Sequence, residues 1–325
     1  MMRATALVWS AYAGVVIIGG ANFVAVTISN EGLGPFWGAG LRFVAASLIM
    51  LAIAAAARIA LPRGRALLGA VLYGVLAFGA AYALAYWALL RVPAGMLSIM
   101  LATTPLLTAF LAPLHRLEKL RRRTVLGGLL ALAGIAIVVG EQATLDVAWM
   151  PLAAGVLFAV AVAESAVVIK QFPRVHPLAT NGVAMLVGGS LLLPLSLLAG
   201  ESWVLPSSLR VGAAVTYLIV IGSIALFALF LYTLARLPVT VTAYQTALMP
   251  LVTVVLAALI LGQAVTVSLL VGAAAVFAGL YVGMARRHPA PPGPAPAAAV
   301  VGPHQAVQAE APAMGESDDS PGRPT

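Results

Sequence analysis

The sequence predicts an all-α membrane protein with ten transmembrane helices, arranged as two inverted five-helix repeats with both the N- and C-termini in the cytoplasm. Three observations support this prediction: the apolar composition, the recurrence of apolar runs of membrane-crossing length, and an internal repeat. Hydrophobic residues make up 62% of the 325 residues and charged residues only 9%. Such a composition cannot cover a water-soluble sphere with polar groups, so the chain is predicted to span a membrane several times.

Apolar runs of suitable length follow one another along nearly the whole chain. A bilayer core of about 30 Å requires roughly 20 apolar residues per helix. The first run is too long for a signal peptide and is interpreted as a retained helix. The alternating ten-residue pattern of a membrane β-barrel is absent from the sequence. The ten predicted spans are about 5 to 28, 36 to 58, 66 to 90, 94 to 114, 124 to 140, 149 to 170, 177 to 199, 209 to 234, 240 to 261 and 266 to 285.

The basic residues indicate the orientation of these spans. With the N-terminus inside, most arginines and lysines fall into the loops on one side, which is typical of cytoplasmic loops of a plasma or inner membrane protein. The net charge of +8 is therefore assigned to short loops and does not indicate a nucleic-acid partner. The predicted cytoplasmic set is Arg3, Arg58, Arg63, Arg65, Arg116, Lys119, Arg121, Arg122, Arg123, Lys170, Arg174, Arg236, Arg286 and Arg287, whereas the opposite loops hold Arg91, Arg210, Glu31, Glu141, Asp146 and Glu201.

Several kinds of chemistry lack a sequence signal. The chain has no cysteine, which excludes disulfides and thiolate chemistry. The four histidines show no metal-ligand spacing, and neither a nucleotide-binding loop nor a serine nucleophile elbow occurs. We therefore predict no metal, no cofactor, no catalysis and no ATP-driven pumping. Residues 286–325 are rich in Pro and Ala, without apolar periodicity, and are predicted to form a disordered cytoplasmic tail.

An internal repeat divides the chain into residues 1–140 and 149–285. The segment LRVPAGMLSIMLATTPLLTAFLAPL, from residue 90, resembles ARLPVTVTAYQTALMPLVTVVLAAL, from residue 235, without a gap. Each half holds five spans, and an odd number places the second half in the membrane upside down, as in the inverted repeats of secondary transporters. The offset of 145 residues pairs Arg91 with Arg236, Pro105 with Pro250, Gly127 with Gly272 and Gly134 with Gly279.

These segments, together with GGANFVAVTISNEGLGPFWGAGLRF at residues 19–43, resemble the EamA-type family of the drug/metabolite transporter superfamily. The resemblance covers about residues 5–285 and implies a secondary transporter that exports small metabolites such as amino acids by alternating access. A drug or nucleotide-sugar carrier is the alternative within transport, and a non-transport intramembrane enzyme or scaffold is the alternative from another class. One departure is Gln263, which stands where the family often has an acid matching Glu118.

Two ionisable residues lie clearly within spans, where each costs about 2.5 to 3.5 kcal/mol on insertion scales. Glu164 aligns with Asn22 of the first repeat. Either it acts as a proton acceptor for coupled transport or an anchor for a substrate ammonium, or it makes a structural hydrogen bond. Arg42 either binds a substrate carboxylate or ties helix ends and carbonyls together, and Asn22 lies at a similar predicted depth.

Further polar and aromatic residues complete the predicted substrate site. Tyr82 and Tyr86 share one helix face at i, i+4 and are expected to line the site, with an interfacial aromatic belt as the alternative. The predicted hydrogen-bonding residues are Asn22, Ser98, Thr103 and Gln245.

Prolines and glycines carry two further predictions. Pro105 and Pro250 interrupt the backbone ladder at matching positions and are predicted hinges, with tolerated kinks as the alternative. Gly279 and Gly283 form a GxxxG pattern, for which packing within the chain is favoured and a homodimer face is the other interpretation.

Overall fold

The computed structural model describes residues 2–117, 120, 122–143, 149–234, 236–237 and 239–284. Every regular element in this part of the chain is helical. Glu118 and the predicted tail 286–325 lie outside the described residues. The α-helices are α1 (Met2–Ser29), α2 (Pro35–Ala56), α3 (Arg65–Tyr73), α4 (Ala81–Ala88), α5 (Ala94–Ala102), α6 (Thr104–Leu114), α7 (Arg122–Ala143), α8 (Trp149–Ile169), α9 (Pro177–Leu198), α10 (Leu209–Ile219), α11 (Leu226–Leu234), α12 (Val239–Leu261) and α13 (Val267–Met284).

Two π-helical segments extend these helices into longer rods. The first π segment, Gly74–Ala80, joins α3 to α4, and the second π segment, Val220–Ala225, joins α10 to α11. Each lies in the third span of its predicted repeat. A π turn shifts the backbone hydrogen-bond register and is frequent at functional sites.

Seven helical rods of the described chain are long and apolar enough to cross a membrane, and the bent pair α5–α6 brings the number to eight. Residues 245–261 and 267–283, which belong to α12 and α13, form shorter apolar helices. The all-α class and the multi-spanning character are confirmed. The number of ten spans and the cytoplasmic placement of the termini remain predictions.

The loops between the helices lie at two ends of the bundle, and we name each end by the residues that its loops carry. The basic end carries Arg58, Arg65, Arg116 and Lys170, and the opposite end carries Glu31, Arg91, Glu201 and Arg210. By the charge pattern the basic end is predicted to face the cytoplasm.

Helices α7 and α13 meet along a glycine seam formed by Gly127, Gly134, Gly272 and Gly279. A Cβ atom on Gly279 would lie 2.5 Å from the carbonyl oxygen of Gly127. One on Gly134 would lie 2.6 Å from that of Gly272, and the same distance separates a Cβ on Gly272 from the oxygen of Gly134. Residue numbers rise in opposite directions across the seam, so the two helices are antiparallel. Because the repeat pairs Gly127 with Gly272 and Gly134 with Gly279, these contacts have two-fold symmetry.

Close packing of α9 against two neighbours fixes α2 and the first π segment. A Cβ on Gly189 would lie 3.0 Å from Phe43 Cβ, within one turn of the middle of α2. A Cβ on Gly188 would lie 2.6 Å from the carbonyl oxygen of Gly74. Only small residues permit these backbone approaches, and they hold the part of α2 that carries Arg42.

The two predicted hinge prolines have different surroundings. Helices α5 and α6 meet at Thr103 with a bend of 41°, and Pro105 lies in the first turn of α6. A proline there costs little, because the missing N–H would have no helical partner. Pro250 lies inside α12, which the structure describes as one helix from Val239 to Leu261. The proposed hinge role of both prolines remains a prediction.

Candidate substrate site between the two repeats

The Arg42 guanidinium is the centre of a polar cluster inside the bundle. Its side chain is only 1% exposed. Nε donates to Ser223 Oγ at 3.1 Å, a terminal nitrogen donates to the Gly222 carbonyl at 3.1 Å, and the other lies 3.4 Å from the Tyr86 hydroxyl. Arginine stays charged at physiological pH, and within the described residues Arg42 forms no ion pair with a carboxylate. The cluster therefore contains a buried positive charge held by neutral groups.

The second π segment supplies the central acceptor of this cluster. The Gly222 carbonyl accepts from Arg42 and also from Asn22 Nδ2 at 3.0 Å. Ser223 Oγ, which accepts from Arg42, donates in turn to the Leu218 carbonyl five residues earlier at 2.9 Å. The cluster thus joins α1 and α2 of the first repeat to the third span of the second. Asn22 Oδ1 is buried and has no hydrogen-bond partner among the described residues.

Aromatic rings form one wall beside the guanidinium. Arg42 Cζ lies 5.3 Å from the centroid of the Tyr82 ring and 4.8 Å from that of Phe43. The Tyr82 ring packs edge to face with Phe43 at 4.5 Å and lies 6.3 Å from Tyr86. The faces of such rings attract cations. The structure therefore brings four sequence-predicted residues together: Asn22, Arg42, Tyr82 and Tyr86.

The other predicted hydrogen-bonding residues lie elsewhere or bond locally. Ser98 donates to the Gly95 carbonyl and Thr103 to the Met100 carbonyl, each at 2.7 Å within α5 or its end. Gln245 is fully buried, and its Nε2 donates to Thr233 Oγ1 at 3.2 Å, which ties α12 to α11. None of these contacts joins them to the Arg42 cluster.

Glu164 pairs with a histidine that is not among the predicted site residues. Its Oε1 lies 2.9 Å from Nε2 of His115, at the end of α6. Nδ1 of His115 lies 3.2 Å from the Leu111 carbonyl oxygen. The second carboxylate oxygen, Oε2, is buried without a hydrogen-bond partner among the described residues. Glu164 is thus near the basic end, apart from the Asn22 side chain with which the repeat aligns it.

A cavity of about 220 Å³ opens between α5–α6, α7 and α8. Its lining is almost entirely apolar, and Thr103, at the bend between α5 and α6, is its one hydroxyl-bearing residue. Leu107, Phe110 and Ala159 line its lower part, toward the basic end. The bend therefore sits beside open space rather than in a close-packed interface.

At the opposite end, a carboxylate and two indoles connect the repeats. Glu201 accepts from the backbone N–H groups of Phe36 and Trp37, at 3.1 and 2.7 Å, at the start of α2. A helix N-terminus favours such an anionic partner. The Trp37 and Trp203 rings stack at 4.8 Å with an interplanar angle of 11°. The α1–α2 hairpin is thereby closed onto the loop before α10.

Two further contacts close the same end. Arg210 makes a bidentate ion pair with Glu31, at 3.0 and 3.1 Å. Gln263 Oε1 accepts from the backbone N–H of Ala94, the first residue of α5, at 3.1 Å. Gln263, the residue that departs from the family pattern, therefore caps the start of α5 without a charge.

Comparison with known proteins decides the family. The sequence profile of the EamA-like transporter family matches the chain twice, at residues 7–140 and 149–284. The chain belongs to the EamA-like transporter family. This EamA-like transporter accordingly has the two-repeat architecture of its family, and is a multi-pass protein of the cell inner membrane.

Curated relatives of this EamA-like transporter carry transport names. The Escherichia coli K12 protein named "Uncharacterized inner membrane transporter YedA" is 28% identical over 230 residues, covering 70% of this chain and 74% of the relative. The "Probable terminal-alkyne amino-acid exporter" of Streptantibioticus cattleyicolor is 28% identical over 287 residues, covering 86% and 94%. The "Probable amino-acid metabolite efflux pump" of Salmonella typhimurium is 26% identical over 285 residues, covering 82% and 91%.

A solved structure shares the fold. It is described only as the crystal structure of a protein, superposes with a TM-score of 0.63 at 21% identity, and covers 87% of this EamA-like transporter and 99% of its own chain. This likeness concerns the arrangement of helices alone.

Three groups that contact Asn22, Arg42 or Glu164 are not among the predicted site residues: the Gly222 carbonyl, Ser223 and His115. Gly222 and Ser223 interrupt an apolar run with two small residues, which is a weak signal for a helix irregularity. His115 lies just past the predicted span 94 to 114, so the sequence places it in a loop. The cost of a carboxylate within a span, which requires a partner for Glu164, is the signal that could have found it.

Proposed function

We propose that this EamA-like transporter is a secondary-active exporter of amino acids or related carboxylate-bearing metabolites, working by alternating access. Arg42 would bind the substrate carboxylate, and Asn22 Oδ1 would accept from its ammonium group. The observation that carries the proposal is the buried guanidinium at the junction of the repeats, with neutral partners only. Transport without catalysis is part of the same proposal.

The chemistry of Arg42 supports a carboxylate ligand. A buried charge is costly unless it is paired, and the carbonyl, hydroxyls and ring faces around Arg42 compensate it only in part. The planar guanidinium fork matches a carboxylate with two parallel hydrogen bonds. Tyr82 and Tyr86 would then contact the apolar or aromatic part of the solute. The export direction and the amino-acid class are supported by the printed names of the Streptantibioticus and Salmonella relatives.

Alternating access is supported by differences between the repeats. The opposite end is closed by the contacts of Glu201, Trp37 and Arg210 across the repeats. The fourth span is bent at Thr103 in the first repeat, whereas its counterpart α12 is one helix. Inverted repeats that adopt unequal shapes produce one open and one closed side, and exchange of the shapes would reverse them.

The proposal is tested by transport in proteoliposomes that contain the purified full-length chain. The panel comprises labelled amino acids, the corresponding amines without a carboxylate, a hydrophobic cationic drug and a nucleotide sugar. We expect Arg42→Gln to raise the half-saturating concentration of amino acids about ten- to hundredfold, since hydrogen bonds to a charged group contribute about 1.5–3 kcal/mol. Transport of the amines should change little.

Arg91→Gln is the matched control, because Arg91 is an exposed arginine at the opposite end. Arg42→Lys keeps the charge without the planar fork. If Arg42→Gln does not fold, the same transport measurements are made on Arg42→Lys. Selective transport of the drug or the nucleotide sugar by the unaltered chain, or equal losses for amines and amino acids in the Arg42 variants, would refute the carboxylate site.

A further inference from the structure

An imidazole–carboxylate pair joins the two repeats near the basic end. His115 follows α6 of the first repeat, and Glu164 lies on α8 of the second. The 2.9 Å contact between His115 Nε2 and Glu164 Oε1 therefore crosses the boundary that must open and close in alternating access. At the opposite end the equivalent boundary is held by the Glu31–Arg210 pair, by the Glu201 carboxylate on backbone N–H groups and by two stacked indoles, and none of these contacts contains a histidine.

The geometry of the imidazole indicates how many protons the pair holds. Both ring nitrogens of His115 face oxygen atoms, the Leu111 carbonyl at 3.2 Å and Glu164 Oε1 at 2.9 Å. A carbonyl oxygen can only accept, so a hydrogen bond there requires a proton on Nδ1. The contact with Oε1 requires a second proton, which lies either on Nε2 or on the carboxyl. When one of these two protons is lost, one nitrogen faces an oxygen with no hydrogen between them.

The surroundings make that second proton important. Glu164 Oε2 is buried without a partner among the described residues, so a carboxylate charge there is poorly compensated except by His115. Helix α8 packs against α3, the first π segment, α4, α5 and α6. The titratable residues that these elements and the end of α6 contribute are Arg65, Tyr73, Tyr82, Tyr86 and His115, of which only His115 forms a described ion pair with Glu164.

The pair is also partly exposed, and it lies near the basic end. The side chains of His115 and Glu164 are 27% and 25% exposed, unlike the Arg42 cluster. They lie five residues beyond Phe110 and Ala159, or about 7.5 Å further along α6 and α8 than the apolar cavity between those helices. A proton can therefore reach the pair from the basic end without passing the substrate cluster.

We propose that His115 and Glu164 form a proton-binding site. With both protons bound, the pair holds α6 against α8, and loss of one proton releases the two helices from each other. The step is a proton transfer alone: water or a buffer acid at the basic end gives the proton and takes it back. Coupling of this site to export rests on the proposed function, whereas proton binding itself does not.

Proton binding is tested on the purified full-length chain in lipid bilayers, by solid-state NMR of protein labelled with ¹⁵N-histidine. The signal that disappears in His115→Gln is assigned to His115, and its pH titration is followed. We expect the titration midpoint to shift when Glu164 is replaced by Gln, because the carboxylate is the direct partner of Nε2. A midpoint that stays the same in Glu164→Gln would overturn the proton-binding site.

The exchanged double variant, His115→Glu with Glu164→His, covers the case in which a single variant fails to fold. It retains one imidazole and one carboxyl across the same helix pair, and we expect it to regain a pH-dependent histidine signal. Loss of all titration in a folded exchanged variant would contradict the proposal.

Coupling is tested by transport with and without a pH gradient. We expect His115→Gln and Glu164→Gln to lose gradient-driven transport of labelled amino acids but to keep exchange between equal pH values. His176→Gln is the control, since His176 is a histidine at the same end that precedes α9 and accepts from the Leu178 N–H in the first turn of that helix. If the wild type transports none of the panel but His115 titrates as expected, the proposed function fails and the site survives. If the wild type transports normally with no gradient dependence, the coupling inference fails and the proposed function survives.

Discussion

At the scale of single residues, Arg42 and Gly222 define what the cluster can recognise. Gly222 has no side chain, so its carbonyl can be approached by the Arg42 guanidinium and the Asn22 amide together. The two donors share one acceptor, and the guanidinium keeps its positive charge without an anionic neighbour in the described chain. A site of this kind would select solutes by their negative charge at the Arg42 guanidinium and by the shape of the part that contacts the neighbouring aromatic rings.

Gly222→Ala should impair transport strongly. The added Cβ would overlap Asn22 Oδ1, so Asn22 has to move and the shared carbonyl is no longer reached by both donors. Overpacking of this kind costs about 1–3 kcal/mol. Uptake of labelled amino acids and the folded yield after size-exclusion chromatography are measured together.

Gly212→Ala is the control for this prediction. The nearest atom to a Cβ on Gly212, which lies earlier in the same rod, is Pro206 Cβ at 3.7 Å. We expect its transport and folded yield to equal those of the wild type. Equal transport by Gly222→Ala and Gly212→Ala would show that the geometry around Gly222 is not needed.

The candidate residues could be predicted to the extent that hydrocarbon makes polar groups expensive. Arg42, Glu164 and Asn22 stand out for that reason alone. Their partners could not be predicted, because the Gly222 carbonyl is presented by a π segment, and hydropathy contains no information about backbone hydrogen-bond register. The role of His115 could not be predicted because this residue lies beyond the end of an apolar run, although its side chain reaches Glu164 on α8.

At the scale of elements, the antiparallel pair α7–α13 and the bent pair α5–α6 have different mechanical properties. The glycine seam brings backbone against backbone, which leaves little freedom for sliding. The bend at Thr103 borders a cavity, which leaves room for α6 to move. The glycine seam therefore suits a fixed part of the bundle and α6 a moving part.

Gly134→Val should destabilise the protein by roughly 1–3 kcal/mol, the usual range for overpacking. The new side chain would start 2.6 Å from the Gly272 carbonyl oxygen, where no flexible group can give way. Thermal unfolding in detergent measures the change. Gly140→Val, later in the same helix, is the control, since no heavy atom lies within 4 Å of a Cβ there. Equal midpoint temperatures of unfolding for Gly134→Val and Gly140→Val would contradict close packing along the glycine seam.

Helix positions follow directly from apolar run length, since a bilayer requires spans of similar size. The bend did not follow from the prolines in the same way. Pro105 and Pro250 occupy matching sequence positions, but only the first lies beside a break between helices. The difference between the two spans depends on the packing around each proline, and this packing cannot be read from the two matching sequence segments.

At the scale of the whole molecule, cross-repeat contacts at the two ends differ in kind. The opposite end has backbone-bound Glu201, stacked indoles and the Glu31–Arg210 pair. The basic end has the partly exposed His115–Glu164 pair. A transport cycle that opens both ends in turn has to break each set once.

Locking the opposite end should stop transport. The chain contains no cysteine, so Trp37→Cys with Trp203→Cys introduces the only two thiols. A short, reducible bifunctional thiol reagent would join them, because the parent rings lie 4.8 Å apart. We expect transport of labelled amino acids to fall in proportion to the cross-linked fraction and to recover after reduction. Each single-cysteine variant treated with the same reagent is the control, and undiminished transport by fully cross-linked protein would exclude an opening at this end.

The glycine seam also bears on stoichiometry. Contacts related by a two-fold axis are the way in which two identical subunits join, yet here both partners belong to one polypeptide. Their one-to-one ratio is therefore set by the gene and does not depend on dilution, unlike that of a true dimer. Since Gly279 already meets Gly127 inside the chain, a second copy of the protein would have to associate through another surface.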